Sequence, residues 1–379
     1  MIDFGRTPFT VIWEVTRACD LRCVHCRADT RPRPDPRELT TAEGYRLLDE
    51  VRDVASPVFV ITGGDPLKRA DLFDLVEYGA RIGIPVAVTP SGTPLLRRGA
   101  VPRLKALGVK RLALSLDAPT ADAHDRSRQQ RGSYAWTVAG ARQARECDLP
   151  LQINTTVTRR NVALLDALAD VVTDLGAVMW SAFFLVTVGR ARESDQLSPE
   201  EFESTFAALH ALAARVPFAV RTTAAPHYRR YILQQAARAR RGGQPPRSTA
   251  LAGVVGELPR ARRGVTDGNG LVFISHTGEV YPSGFLPISA GNVRRTPLAQ
   301  IYRDAPIFRR LRDEARLGGK CGVCEFRRIC GGSRARAYAV TGDPLAEDPS
   351  CVYQPRKLGE TVARETDAGH PPPRGRVSA

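Results

Sequence analysis

The stretch WEVTRACDLRCVHCRAD, residues 13–29, leaves an apolar, β-branched run (Phe9–Thr16) and passes directly into a loop that carries Cys19, Cys23 and Cys26. Outward from it the same kind of run repeats. Val58–Thr62, Pro85–Thr89, Arg111–Asp117, Leu151–Thr158 and Val178–Val186 have the length and β-branched content of strands. Between them, segments such as TTAEGYRLLDEVRDV and ADLFDLVEYGARIG carry apolar positions at helical spacing, the first with Thr40 or Thr41 available as a cap. This alternation predicts an α/β fold of six βα units around a parallel sheet, a partial barrel. Ligands of such sheets bind in the βα loops beyond the C-terminal ends of the strands. The three cysteines fall in the first of those loops.

The 379-residue chain carries a net charge of +15, with Arg far outnumbering Lys. A basic chain attracts anionic partners, although Arg in place of Lys, with abundant Ala, Gly and Pro, equally suits a GC-rich coding sequence. Arg is spread along the whole length, without a basic run interleaved with aromatics, which argues against nucleic acid as a partner. No run approaches the roughly 20 apolar residues of a membrane span, and the N-terminus lacks the basic and apolar regions of a signal peptide. A cytoplasmic protein with no membrane partner is therefore expected. Eight cysteines in such a chain are read as ligands or reactive groups rather than a disulfide framework. Seven form two sets near opposite ends of the chain; Cys147, near the end of an amphipathic helix, is expected to be a small buried hydrophobe.

Three thiolates on one loop can close around one cubane but leave its fourth iron open, because a [4Fe-4S] cluster needs four ligands. A zinc site with a distant fourth ligand is the other reading, although zinc favours CxxC pairs. CxxxCxxC after a first barrel strand resembles the radical SAM superfamily, in which the open iron chelates S-adenosylmethionine (SAM) for reductive cleavage. The resemblance runs over residues 9–190 and implies a set of SAM contacts. His25 stands where the family has an aromatic residue near the adenine. Gly63, Gly64, Asp65 and Pro66 follow the second strand where the family has GGEP, whose carbonyls and acid receive the SAM amino group; Asp65 is one methylene shorter than the usual Glu. Ser91, in TPSGT, replaces the Asn of a TNG motif. Ser115 and Asp117, in LALSLDAPTADAHDRSR, match SLDG, and Ser115 would meet the methionine or ribose end of SAM. Arg128 matches the Arg of HDxxR, a fork suited to the SAM carboxylate. Asn154 would reach ribose or adenine. Taken singly, GGDP is also an ordinary turn and His25 an ordinary loop residue.

The second set, in CGVCEFRRICGGSRARAYAVTGDPLAEDPSC, is Cys321, Cys324, Cys330 and Cys351. Four thiolates saturate a cluster, and a zinc ribbon fits the same spacing. With GNV at 291–293 upstream and RARAYAVTGD downstream, the segment resembles the SPASM or twitch domain of radical SAM enzymes, which holds auxiliary iron–sulfur clusters. Ser283 occupies the Cys position of a GxVxPC motif and Arg334 that of a CxxxC pair. The resemblance thus implies that the inner auxiliary cluster has lost its ligands and the outer one keeps all four, giving one auxiliary [4Fe-4S] cluster beside the SAM-binding one. The expected organisation is a core over 1–215, a helical bridge and basic Gly/Pro-rich linker over 216–269, a small C-terminal iron–sulfur domain over 270–360 with a hairpin turning at Thr277-Gly278, and a disordered tail over 361–379.

The chemistry implied is one-electron reduction of SAM, supplied by a donor such as flavodoxin or ferredoxin, and hydrogen abstraction by the 5′-deoxyadenosyl radical. No residue is singled out as a catalytic acid or base. For the substrate, RTTAAPHYRRY at 221–231 and the cysteine segments most resemble the branch that includes heme b synthase and heme d1 biosynthesis enzymes, which act on tetrapyrrole carboxylates. His227 and Arg229 would then serve an iron porphyrin, unless His227 simply packs a helix. The alternative is maturation of a ribosomally made peptide. A non-enzymatic zinc or nucleic-acid-binding protein is the remote third class and would be colourless and inert toward SAM.

Overall fold

The computed structural model describes residues 3–55, 57–97, 99–242 and 264–356. Of the bridge and linker expected over 216–269, residues 243–263 lie outside the described residues, as does the expected tail. The six apolar runs form β1 (Thr10–Glu14), β2 (Val58–Thr62), β3 (Val86–Val88), β4 (Arg111–Ser115), β5 (Leu151–Val157) and β6 (Met179–Phe184). Each pairs in parallel with the one before it. Helices cover the sheet, so β1–β4 are largely buried and read as apolar runs rather than alternating ones. Thr40 caps the helix Thr41–Ala55: its hydroxyl accepts the Glu43 N–H at 3.3 Å while the Glu43 carboxylate accepts the Thr40 N–H at 2.7 Å.

Two strands extend the sheet beyond the expected six. β7 (Ala219–Thr223) adds in parallel to β6, and β8 (Leu271–Ile274) adds in parallel to β1 on the opposite side. From β8 the chain turns back through Gly278, whose φ of +86° suits glycine, into β9 (Glu279–Tyr281) and then the short β10 (Gly291–Asn292). The order is β10-β9-β8-β1-β2-β3-β4-β5-β6-β7, with β7 and β10 at the edges. Two domain boundaries expected from the sequence, after 215 and before 270, therefore fall within this one sheet. The reason is packing: Val11 and Trp13 of β1 share one continuous core with Ile274, Val280, Tyr302, Phe308 and Leu345 from the C-terminal part. Cys147 caps the end of the helix Ser133–Glu146 and is half-buried against that core, not fully buried as expected.

The helix Pro199–Leu212 begins with a full capping box at Ser198 and Glu201. Its Phe202 stacks on Phe184 of β6 at 4.8 Å, and Phe206 meets Phe184 edge-on at 5.3 Å. This aromatic block closes the β6–β7 side of the sheet. Truncating a fully buried Phe at its centre leaves a cavity that the neighbouring rings fill only in part, so Phe206→Ala is expected to lose about 3–5 kcal/mol of stability, read as a lowered denaturation midpoint with an unchanged slope.

Candidate active site

The first cysteine loop starts where β1 ends and is fixed by backbone contacts on two sides. On one, the Gly64 N–H donates to Thr16 O at 2.8 Å and the Asp65 N–H to Ala18 O at 2.7 Å. That approach needs glycine. A Cβ on Gly64 would stand 2.5 Å from Ala18 O and 2.8 Å from the Cys19 Cβ, and one on Gly63 2.7 Å from Thr16 O. On the other side, the segment after β6 grips the loop: the Arg190 N–H donates to Cys26 O at 2.9 Å, and its guanidinium to Cys23 O at 3.1 Å and to Thr30 Oγ1. Cys19 and Cys23 are buried and Cys26 half-buried. Burial pushes the Cys19 thiol up to about 11 and raises that of Cys23. Polar groups already face the sulfurs, with the Leu21 N–H 3.4 Å from Cys19 Sγ and Arg128 Nη1 3.6 Å from Cys23 Sγ.

The other SAM-contact candidates gather at the same strand ends, in differing roles. The Asp65 carboxylate is turned inward: Oδ1 accepts from the N–H groups of Leu67 and Ser91, and Oδ2 from the Thr93 hydroxyl at 2.8 Å. Burial raises it to about 6. Asp65 thus braces the turn, and Pro66 opens the short 3₁₀ turn that Asp65 caps. Ser91 Oγ donates to Gly64 O at 2.6 Å and lies 3.7 Å from Cys19 Sγ, joining the β3 loop to both. Asp117, fully buried, takes Arg128 at 2.7 Å and faces His25 at 3.5 Å. Burial alone would raise Asp117, but the Arg128 guanidinium above all holds it below the usual carboxylate range, and burial lowers His25. Arg128 is therefore shared between Asp117 and Cys23, with its buried Nε–H unpartnered among the described residues. Ser115 ends β4 and sits opposite Asn154, which lies in the middle of β5 and not at its end.

The four later cysteines line one cavity. A backbone N–H is aimed at each sulfur: Phe326 at Cys324, Gly332 at Cys330 and Asp348 at Cys321, each at 3.4 Å, and Tyr353 at Cys351. Burial pushes Cys330 up to about 12 and Cys351 to about 11. Such a donor set, half-buried thiols each met by an N–H, matches what thiolates on an iron–sulfur cluster require. Among the described residues no three Cys, His, Asp or Glu side chains are gathered tightly enough for a single ion. Ser283 accepts the Phe285 N–H in a turn, and Arg334 donates to Pro344 O and Ala346 O, so both have structural roles in place of ligation.

His227 and Arg229 lie here, beside the second set of thiols. His227 is packed between Phe202 and Phe206 and faces Asp348 at 3.6 Å; Arg229 donates to Ile329 O and Val265 O. Sequence reading also missed Glu14, which ends β1 fully buried. Burial would raise its carboxyl, but Arg27, His276 and Arg17 hold it at about 2. An acid closing the apolar run TVIWE was its one signal. Beside the first loop opens a cavity of about 350 Å3 lined by Cys19, Asp20, Leu21, Arg22, Thr30, Pro32 and Arg190.

A parallel α/β sheet with three thiols on its first loop and a Gly-Gly turn packed against them defines the class, and the chain belongs to the radical SAM superfamily. The model of that superfamily matches residues 13–168. The chain is 39% identical over 357 residues to an AdoMet-dependent heme synthase of Methanosarcina barkeri, covering 94% of this chain and 100% of that one. It is 39% identical over 358 residues to an AdoMet-dependent heme synthase of Nitratidesulfovibrio vulgaris, covering 94% and 95%. Among solved structures, Streptococcus suis SuiB bound to the precursor peptide SuiA shares the fold, with a TM-score of 0.71 at 15% identity over 92% of this chain and 76% of that one. The chain is thus an SAM-dependent enzyme, and membership implies a [4Fe-4S] cluster that works with SAM. No helix among the described residues is long and apolar enough to cross a membrane.

Gly64→Ala drives a methyl into the backbone of the cysteine loop. The reconstituted variant is expected to bind less iron than the parent and to release no 5′-deoxyadenosine under dithionite, while keeping its far-ultraviolet circular dichroism.

Proposed function

We propose that this enzyme oxidatively removes carboxylate from the side chains of an iron tetrapyrrole. Cys19, Cys23 and Cys26 hold the cluster that binds SAM. The edge Gly63–Pro66, with Ser91, Ser115, Arg128, Asn154 and His25, forms the SAM cradle, in which Asp65 and Asp117 act by position. Cys321, Cys324, Cys330 and Cys351 hold one auxiliary [4Fe-4S] cluster. When bound, these groups supply a hydrogen-abstracting radical and a one-electron acceptor.

The observation that carries the reading is the cavity beside the cysteine loop. Its wall holds Arg22, which is exposed, and Arg190, whose guanidinium donates to Cys23 O and Thr30 Oγ1. The two guanidiniums outnumber the one carboxylate in that wall, Asp20, which Lys68 pairs, and such a positive wall suits a substrate with several carboxylates. The names of the relatives at 39% identity point to the same substrate class. Atom balance supports a second redox group: a propionate that loses one hydrogen atom, CO2 and one electron becomes a vinyl group. The remaining task of the chain is to orient the side chain and exclude water while that occurs.

Iron coproporphyrin is expected to stimulate 5′-deoxyadenosine release by the anaerobically reconstituted, reduced enzyme, with loss of CO2 from the porphyrin; Cys26→Ala abolishes both. Arg22→Ala is expected to raise the half-saturating porphyrin concentration about tenfold, the equivalent of ~1.4 kcal/mol. Release that porphyrin leaves unchanged contradicts the reading and favours a peptide substrate.

A further inference from the structure

Two buried polar side chains face the cavity of the four later thiols, and both come from the first turn of the helix His227–Arg241. His227 and Arg230, three residues apart and so on one helix face, are 1% and 3% exposed. The terminal nitrogens of Arg230 are occupied: Nη1 and Nη2 donate to the Glu203 carboxylate at 2.8 and 2.6 Å, and Nη1 also to Gln234 at 2.8 Å. Its guanidinium lies over the Tyr353 ring at 5.3 Å. The Nε–H, buried, finds no acceptor among the described residues. An Arg cannot release its proton, and a buried donor without an acceptor is costly. An electron-rich group in the cavity removes that cost.

We propose that Arg230 sets the reduction potential of the auxiliary cluster, by holding a permanent positive charge and an Nε–H donor against it. The inference rests on the assignment of Cys321, Cys324, Cys330 and Cys351 as ligands. Charge and hydrogen bonds at the sulfurs are what tune such potentials. A fixed cation stabilises the state that carries the extra electron and so makes the cluster easier to reduce. Glu203, itself part-exposed, tempers the charge through its bidentate pairing. Arg334, 3.7 Å from Cys321 Sγ, and Lys320, which lines the same cavity, reinforce it.

The test is a redox titration followed by EPR on the full chain carrying Cys19→Ala, Cys23→Ala and Cys26→Ala, which isolates the auxiliary cluster. Arg230→Gln is expected to shift the midpoint negative, with the reduction equilibrium changed about tenfold, ~59 mV for a one-electron couple. Arg230→Lys, which keeps the charge, shifts it less. Glu203→Gln leaves Arg230 in place, removes its counter-charge and shifts the midpoint positive. Opposite shifts at unchanged iron and sulfide content support the proposal. Unmoved midpoints, or shifts of the same sign, overturn it. Should Arg230→Gln fail to hold iron, Glu203→Gln decides alone: a positive shift supports and none overturns. A triple-cysteine parent that binds no cluster instead overturns the ligand assignment itself, which separates that failure from this one.

Discussion

The backbone of residues 62–65 lies directly on the backbone of residues 16–19, and the rest of the site is arranged around that contact. Two N–H···O bonds of 2.8 and 2.7 Å define it, and only glycine at 63 and 64 leaves room for it. It sets the cysteine loop at the C-terminal mouth of the sheet, next to the ends of β2, β3 and β4. It also turns the carbonyl edge of the Gly-Gly turn toward Ser91 and Cys19. Arg190 completes the hold from β6, so the three thiols are fixed by main chain on both flanks before any cofactor binds. That preorganisation would present a cluster held by these thiols at a defined place.

Several buried ions are handled the same way: they are paired, and the pairs tie elements together. Glu14 draws Arg17, Arg27 and His276 to the end of β1, which joins the cysteine loop to the β8–β9 hairpin. Asp117 joins His25 of the loop to Arg128. Arg336, fully buried, pairs with Asp348 and donates to Ala224 O and Leu185 O at the ends of β7 and β6. Asp348 in turn accepts from Ser333 and Ser350, and its N–H faces Cys321. The C-terminal thiols are thereby anchored to the barrel mouth rather than carried on a separate lobe. Removing one member of such a buried pair leaves an uncompensated charge, which is costlier than the pair is stabilising.

The six strands and both thiol sets were legible because they are local patterns: an apolar run of strand length, or a fixed spacing of one residue type. β7 was not, since its outer half, Arg221-Thr222-Thr223, is polar and half-buried at a sheet edge. The hairpin at 271–281 was legible, but its parallel pairing with β1 joins segments some 260 positions apart and has no local signature. Of the candidate SAM contacts, sequence gave the neighbourhood and not the orientation. Asp65 and Asp117 spend their carboxylates inside the protein, and Arg128 is divided between Asp117 and Cys23. His227 shows the limit most plainly. The family resemblance implies a substrate role for His227, with helix packing as the other reading, and its place beside the second set of thiols follows from the aromatic block of Phe202 and Phe206, which no spacing reveals.

The central claim is that the first loop alone holds a cluster with an iron left open for SAM. EPR of the reduced full chain carrying Cys321→Ala, Cys324→Ala, Cys330→Ala and Cys351→Ala, recorded with and without SAM, tests it most directly. The account predicts that this variant keeps one [4Fe-4S] cluster and that SAM changes its spectrum. A variant that retains no cluster, or a spectrum indifferent to SAM, would contradict it.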